Sequence, residues 1–229
     1  MYTGPKIVTD GLLYAVDAGS KRCYPGAGSD YVDIIDPTRG GSFWGGITYS
    51  SAKGGHFDAD DNASGISIPD SVGTALNGLP EATLEMYIRT KANTIASDSG
   101  IIQLSAWDST NGNLYFYNNG STYLDVFKTN RLSLIPSPTW IDPTKWHQLT
   151  ITSKVGAAGY RVFFDAIYYK GTTGQTIAVT NDIGAGLFLG RNSNSRYLDG
   201  GIGVVRIYTK ALTDEEVMSN YKATINRYR

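Results

Sequence analysis

The chain has 229 residues, enough for one sizeable core, and its 41% hydrophobic and 12% aromatic content excludes intrinsic disorder. A net charge of -1 gives no electrostatic case for a nucleic-acid partner, and a single cysteine, Cys23, excludes an internal disulfide. No basic stretch leading into an apolar run opens the sequence, and no segment approaches the ~20 apolar residues of a membrane span. The expectation is therefore a chain without signal peptide or membrane partner, made in the cytoplasm.

Met1–Asp10, which contains Pro5, reads as a short, poorly anchored arm. Residues 11–229 read as one domain, because no composition break, heptad or repeat divides them. Asp58-Ala-Asp-Asp-Asn62 crowds hard oxygen ligands of the kind Ca²⁺ accepts, with Asp58, Asp60 and Asp61 as the candidate ligands. The stretch departs from the EF-hand pattern, since Ala63 takes the glycine position and Pro69 the position of the bidentate glutamate. A solvated acidic turn is the plainer reading, with calcium as the alternative and no other cofactor.

Leu84, Met86 and Ile88 alternate with Glu85, Tyr87 and Arg89, which predicts a strand with one core face and one solvent face. Ile102, Leu104 and Ala106 repeat the alternation, as do Leu149 with Ile151 and Val162 with Phe164. Asn-Gly pairs at 77–78, 111–112 and 119–120 supply turns. A two-residue turn at Asn119-Gly120 pairs Phe116 with Tyr123 and Tyr115 with Leu124, and places Phe116 and Tyr123 on an outward face with Asp125. Near the end come a strand at 186–190, a polar turn at 192–195 and a strand over 200–208. A helix follows near 213–222, where Thr213 and Glu216 stand at capping-box spacing and Leu212 and Val217 at staple spacing. Short strands in this number, with one terminal helix, predict an all-β, two-sheet antiparallel jelly-roll sandwich with one short C-terminal helix.

The chain also carries a resemblance over nearly its whole length, strongest at the C-terminus. Gly201-Ile-Gly-Val-Val-Arg-Ile-Tyr208, Ala211-Leu-Thr-Asp-Glu-Glu216, Trp146-His-Gln-Leu-Thr-Ile151 and Phe164-Asp-Ala-Ile-Tyr-Tyr-Lys-Gly171 resemble the laminin-G-like branch of the concanavalin A-like lectin/glucanase superfamily. Gly11-Leu-Leu-Tyr-Ala-Val-Asp-Ala-Gly19, Tyr24-Pro-Gly26, Tyr49-Ser-Ser-Ala-Lys-Gly-Gly55 and Asn220-Tyr-Lys-Ala-Thr224 are similar to the version found in bacteriophage structural proteins. The resemblance implies a concanavalin A-like fold and a component of the phage particle, whether a capsid decoration or a tail-associated protein. Its partners would then be capsid or tail subunits, with homo-oligomers and glycans as further partners. Fold alone does not fix function.

Little chemistry is legible. Glucanases of this superfamily set two glutamates four residues apart around an aspartate, one attacking the sugar and one protonating the leaving oxygen. Here the comparable pair is Glu81 and Glu85, with Thr83 in the middle, so no catalytic residue is assigned. His56 and His147 have no local partner and read as packing or hydrogen-bonding residues, and Cys23 as an inert core side chain. The sequons at Asn62 and Asn119 read as chance without a secretion signal. The positive signal is aromatic, with sixteen tyrosines and four tryptophans. Trp44, Trp107, Phe116, Tyr123 and Trp140 are the candidate surface for a ligand or partner, against the plainer reading that each packs in the core or along an edge. The function expected is a non-catalytic virion structural protein with a glycan- or host-binding face; a free-standing lectin-like module is the alternative, ahead of a glycoside hydrolase.

Overall fold

The computed structural model of the chain describes residues 4–60, 64–90, 102–103, 115–118, 122–126, 130–133, 145–156, 159–172, 187–192 and 196–229. The first strands are β1 (Leu12–Asp17), β2 (Asp30–Val32), β3 (Gly40–Trp44), β4 (Thr48–Ser50), β5 (His56–Asp60) and β6 (Gly65–Ile68). Helix α1 (Asp70–Leu76) leads to β7 (Glu81–Thr90), β8 (Ile102–Gln103), β9 (Tyr115–Asn118), β10 (Thr122–Val126) and β11 (Asn130–Ser133). Then come β12 (His147–Lys154), β13 (Gly159–Phe164), β14 (Ile167–Thr172), β15 (Leu187–Leu189), β16 (Arg191–Asn192), β17 (Arg196–Tyr197) and β18 (Asp199–Tyr208). Helix α2 (Asp214–Thr224) closes the chain with a 3-10 turn, Ile225–Arg227.

Among the described residues the larger sheet runs β14-β13-β12-β7-β18-β5-β4, with β1 also pairing β18, and the facing sheet runs β2-β3-β6-β15-β8. Every pairing is antiparallel. The expected two-sheet sandwich with a C-terminal helix is the fold observed; α1 is a short addition, begun by Pro69 at its N-cap. Between the sheets, Tyr14, Val16, Phe57, Leu84, Met86, Ile151, Val162, Ile202, Val205 and Ile207 form one apolar core. Two tyrosine hydroxyls inside it are matched: Tyr31 Oη donates to the Ser67 carbonyl at 2.5 Å and meets Tyr14 Oη at 2.5 Å. Asp33, fully buried, accepts from the Ala15 and Ile35 N–H groups and pairs with Arg39.

The second face of the larger sheet differs from expectation. Glu85 and Tyr87 are both fully buried, so β7 has no solvent face there. The cover is α2 and the 3-10 turn. Their position follows from the capping box: Thr213 Oγ1 accepts from the Glu216 N–H and Glu216 Oε2 accepts from the Thr213 N–H, fixing where the helix starts. Leu212 and Val217 then pack with Phe163 and Tyr208, as the staple requires. Under the helix, Arg206 pairs with Glu85 and donates to Thr224 Oγ1, while Asn220 Nδ2 donates to Glu85 Oε2 at 2.7 Å. Further along, Tyr228 and Trp146 lie flat on β18 over two glycines. A Cβ at position 203 would fall 2.2 Å from Tyr228 Oη, and one at 201 would fall 2.7 Å from the Trp146 ring.

Residues 6–10 of the arm are also not loose. Val8 donates its N–H to Asn220 Oδ1 at 2.8 Å, its carbonyl accepts from Tyr208 Oη, and the Lys6 carbonyl accepts from Ser219 Oγ. Residues 6–10 are thereby laid along α2, because the arm supplies backbone groups that the helix side chains need as partners. The C-terminal segment is held as firmly, by Arg227, whose guanidinium makes two 2.7 Å bonds to Asp17 and a third to the Gly54 carbonyl.

Candidate functional site

Where the end of β7, the start of β12 and the C-terminal turn meet, the surface opens into a pocket of about 450 Å³, within the size range of small-ligand sites. Trp146, Tyr228 and Ile225 belong to the apolar layer beneath it, and the half-buried Tyr221 borders it. Each comes from the local reasons already given: the strand register delivers Trp146, and the capped helix with its clamped tail delivers Tyr221 and Tyr228. Lys53 reaches the rim from a turn in which its own φ is 49° and which Gly54 and Gly55 continue at positive φ.

The polar wall is unusual in what it leaves unpaired. Arg89 lies over the Trp146 ring at 5.4 Å, and its Nη2 reaches Asp58 only at 3.4 Å, the long limit of a hydrogen bond. Its Nε, the indole Nε1 of Trp146 and Nε2 of His147 are closed off from water and have no hydrogen-bond partner. Leaving one such buried group unsatisfied costs roughly 1–3 kcal/mol. His147 is oriented by Asp165, whose Oδ2 lies 2.9 Å from Nδ1 while its Oδ1 accepts from the Gln148 N–H at 2.9 Å. Asp165 belongs to the β13–β14 turn, where Asp165 and Ala166 both hold positive φ, at 50° and 62°.

The acid pair that hydrolysis would need is not assembled on β7. Glu85 is sealed beneath α2 in its pair with Arg206. Glu81 bonds Lys154 at 2.5 Å and the Ala211 N–H, and the hydrogen bond from Lys154 holds its carboxyl below the usual value, the wrong direction for a proton donor.

Of the aromatics singled out from the sequence, Trp44 is not among the residues that line the pocket. Trp44, half-buried, sits edge-on to Tyr197 at 6.5 Å and covers Gly65 across the facing sheet. Trp107 and Trp140 lie outside the described residues. Phe116 and Tyr123 lie on β9 and β10, and there the register differs from expectation. Tyr123 pairs with Tyr117, and Leu124 with Phe116, so three positions and not two separate Asn118 from Thr122. Of the candidate metal ligands, Asp58 engages His56 at 3.1 Å and Arg89, Asp60 lies against Gly46, and Asp61 lies outside the described residues. Among the described residues no three His, Cys, Asp or Glu side chains converge as a metal site, and no helix is long and apolar enough to cross a membrane.

The pocket residues that sequence reading missed had one signal. Glycines inside the strand at 201 and 203 mark close approach of something to the sheet, here Trp146 and Tyr228.

Architecture and site together define a lectin-like β-sandwich with a pocket at its rim. The sequence profile described as the concanavalin A-like lectin/glucanases superfamily matches residues 60–218, more than half of the chain. The chain belongs to that superfamily, as the C-terminal motifs implied. No curated protein matches it by sequence. Among solved structures, domain 4 of AbnA, a GH43 extracellular arabinanase from Geobacillus stearothermophilus in complex with arabinotriose, has a TM-score of 0.68 at 18% identity, covering 92% of this chain and 98% of that one. A Trypanosoma rangeli sialidase mutant with trans-sialidase activity aligns at TM-score 0.65 and 12% identity, over 97% of this chain but 34% of its own. Botulinum neurotoxin type C, whose cell entry depends on interaction with two ganglioside molecules, aligns at TM-score 0.67 and 11% identity, over 93% and 51%. This chain thus spans about a third of the sialidase and half of the neurotoxin chain, and at these identities the likeness is one of fold.

Proposed function

We propose that this chain is a non-catalytic carbohydrate-binding domain whose ligand enters the rim pocket. The observation that carries the reading is one open, aromatic-backed cavity lined by Arg89, Trp146 and His147, each of which keeps a buried nitrogen without a partner just behind the surface. Sugars present the matching chemistry, a ring with apolar faces and a belt of hydroxyl acceptors and donors. Support also comes from the fold, which is shared with proteins seen with arabinotriose and with gangliosides as partners. The sealed Glu85 and the ionised Glu81 argue for binding without bond cleavage. A glycan array followed by calorimetry tests this: saturable binding that falls on Tyr221→Ala but not on Trp44→Ala is expected. Absence of saturable binding to any glycan refutes the reading.

The resemblance of the segments around Gly11–Gly19 and Asn220–Thr224 to phage structural proteins supports a further placement, on a virion and in contact with capsid or tail subunits. Such contacts would use surfaces other than the arm and the tail backbone, since both are engaged within the chain. Electron cryomicroscopy of particles from an infected culture, with the domain sought in the density, is the test.

A further inference from the structure

Resting on the reading of this pocket as a glycan site, we propose that its ligand is an acidic sugar, one that carries a carboxylate on its ring or side arm, and that Arg89 reads that carboxylate. The charge around the cavity is one-sided. Lys53, Arg89 and Arg229 line it, while among the described lining residues the one side-chain carboxylate is that of Asp165. Asp165 spends both oxygens on its neighbours, one on the His147 ring and one on the Gln148 N–H. The whole chain carries a charge of only -1, so this concentration of cations is a local feature and not the echo of a basic protein.

Arg89 is the residue placed to discriminate. Its guanidinium lies over the Trp146 ring with Cζ 5.4 Å from the ring centre, 28% exposed, and its contact with Asp58 is long. A planar guanidinium whose Nη2 holds Asp58 only at 3.4 Å is the natural fork for a two-point bond to a carboxylate. An incoming carboxylate would draw the side chain off Asp58, and that movement would bring the Nε–H, otherwise closed off from water, to a partner. Lys53 and Arg229, both exposed at the rim, then add attraction at longer range. A neutral sugar would gain none of this and would have to leave the cations facing its hydroxyls.

The experiment is calorimetry of the intact chain with matched ligands: oligogalacturonate and its methyl ester, sialyllactose and lactose. The expected result is binding of at least one acidic ligand roughly tenfold or more tighter than its neutral counterpart. That preference should weaken as ionic strength rises. The oligogalacturonate and sialyllactose arms separate a ring carboxylate within a polysaccharide from a terminal acidic sugar. Arg89→Gln should erase the preference, whereas Lys53→Gln, an exposed change that cannot disturb the core, should reduce it by a smaller factor. Equal affinity for acidic and neutral sugars, with Arg89→Gln and Lys53→Gln without effect, overturns the inference and leaves the glycan-binding reading in place. Absence of binding by every sugar overturns both.

Discussion

Glu85→Gln separates a structural carboxylate from a catalytic one. Glu85 Oε1 meets Arg206 and Oε2 accepts from Asn220 Nδ2 at 2.7 Å, all inside the layer under α2. Glutamine keeps one acceptor oxygen but turns an NH₂ group toward either the guanidinium or the Asn220 amide, both of which donate. The Arg206 charge, 7% exposed, is then left without its counter-ion. Breaking a buried pair in this way costs about 3–5 kcal/mol. For a chain of 229 residues that lowers Tm by roughly 6–20 °C, at about 2–4 °C per kcal/mol. Urea unfolding should show the midpoint fall with an unchanged slope. The double variant Glu85→Leu with Arg206→Met should recover most of the loss, because two buried charges are removed together. An unchanged midpoint in Glu85→Gln would refute the assignment, and so would loss of glycan hydrolysis in a variant that remains folded.

Three further outcomes follow from particular contacts. Deleting residues 1–9 removes the three hydrogen bonds at Val8 and Lys6 and the Val8 side chain from its cluster, and should destabilise the chain by about 2–3 kcal/mol in urea titration. Ala166→Gly relieves a positive φ of 62° in the β13–β14 turn and should raise stability by about 1 kcal/mol, read as an increase in Tm. Burial pushes the Cys23 thiol up to about 11 from an ordinary 9.0, so the unfolded chain ionises first as pH rises. The stability it contributes is complete below pH 9 and is lost between there and pH 11; labelling by a thiol reagent at pH 8 should therefore proceed only at the rate of unfolding.

How much of this was legible depends on the range of each interaction. The helix start was written locally, in Thr213, Glu216, Leu212 and Val217, and the structure uses all four. Strand alternation in β7 fixed which residues face the core, but whether Glu85 and Tyr87 meet solvent is decided by Arg206 and Asn220, more than a hundred positions away. The hairpin register turned on a single residue of turn length, which an Asn-Gly pair suggests but does not determine. In the site, His147 had no neighbour in sequence. Its partner Asp165 is brought by the antiparallel pairing of β12 with β13, in which Leu149 faces Phe164, so the contact follows from topology and not from a motif. The aromatic count was a true signal of layered rings, yet exposure could not be read from it: Tyr87, Trp146 and Tyr228 are buried under the C-terminal turn.

That turn makes the rim pocket a product of the tail, and the dependence can be tested without unfolding the sandwich. On the larger sheet, with one face in the core and much of the other under α2, a ligand is left the rims and edges, and at this rim the layer beneath the pocket includes Ile225 and Tyr228. Both residues are positioned by the Arg227 clamp to Asp17 and Gly54, which joins the last turn to β1 and to the turn bearing Lys53. The clamp is partly exposed, at 33% for Arg227 and 21% for Asp17, so solvent screens it and its global worth is about 1 kcal/mol. Arg227→Gln should consequently move Tm by only a few degrees while speeding amide exchange in residues 224–229 and weakening glycan binding several-fold. A variant that binds with full affinity despite faster exchange at the tail would show that the ligand rests on β7 and β12 alone, without the floor that Tyr228 provides.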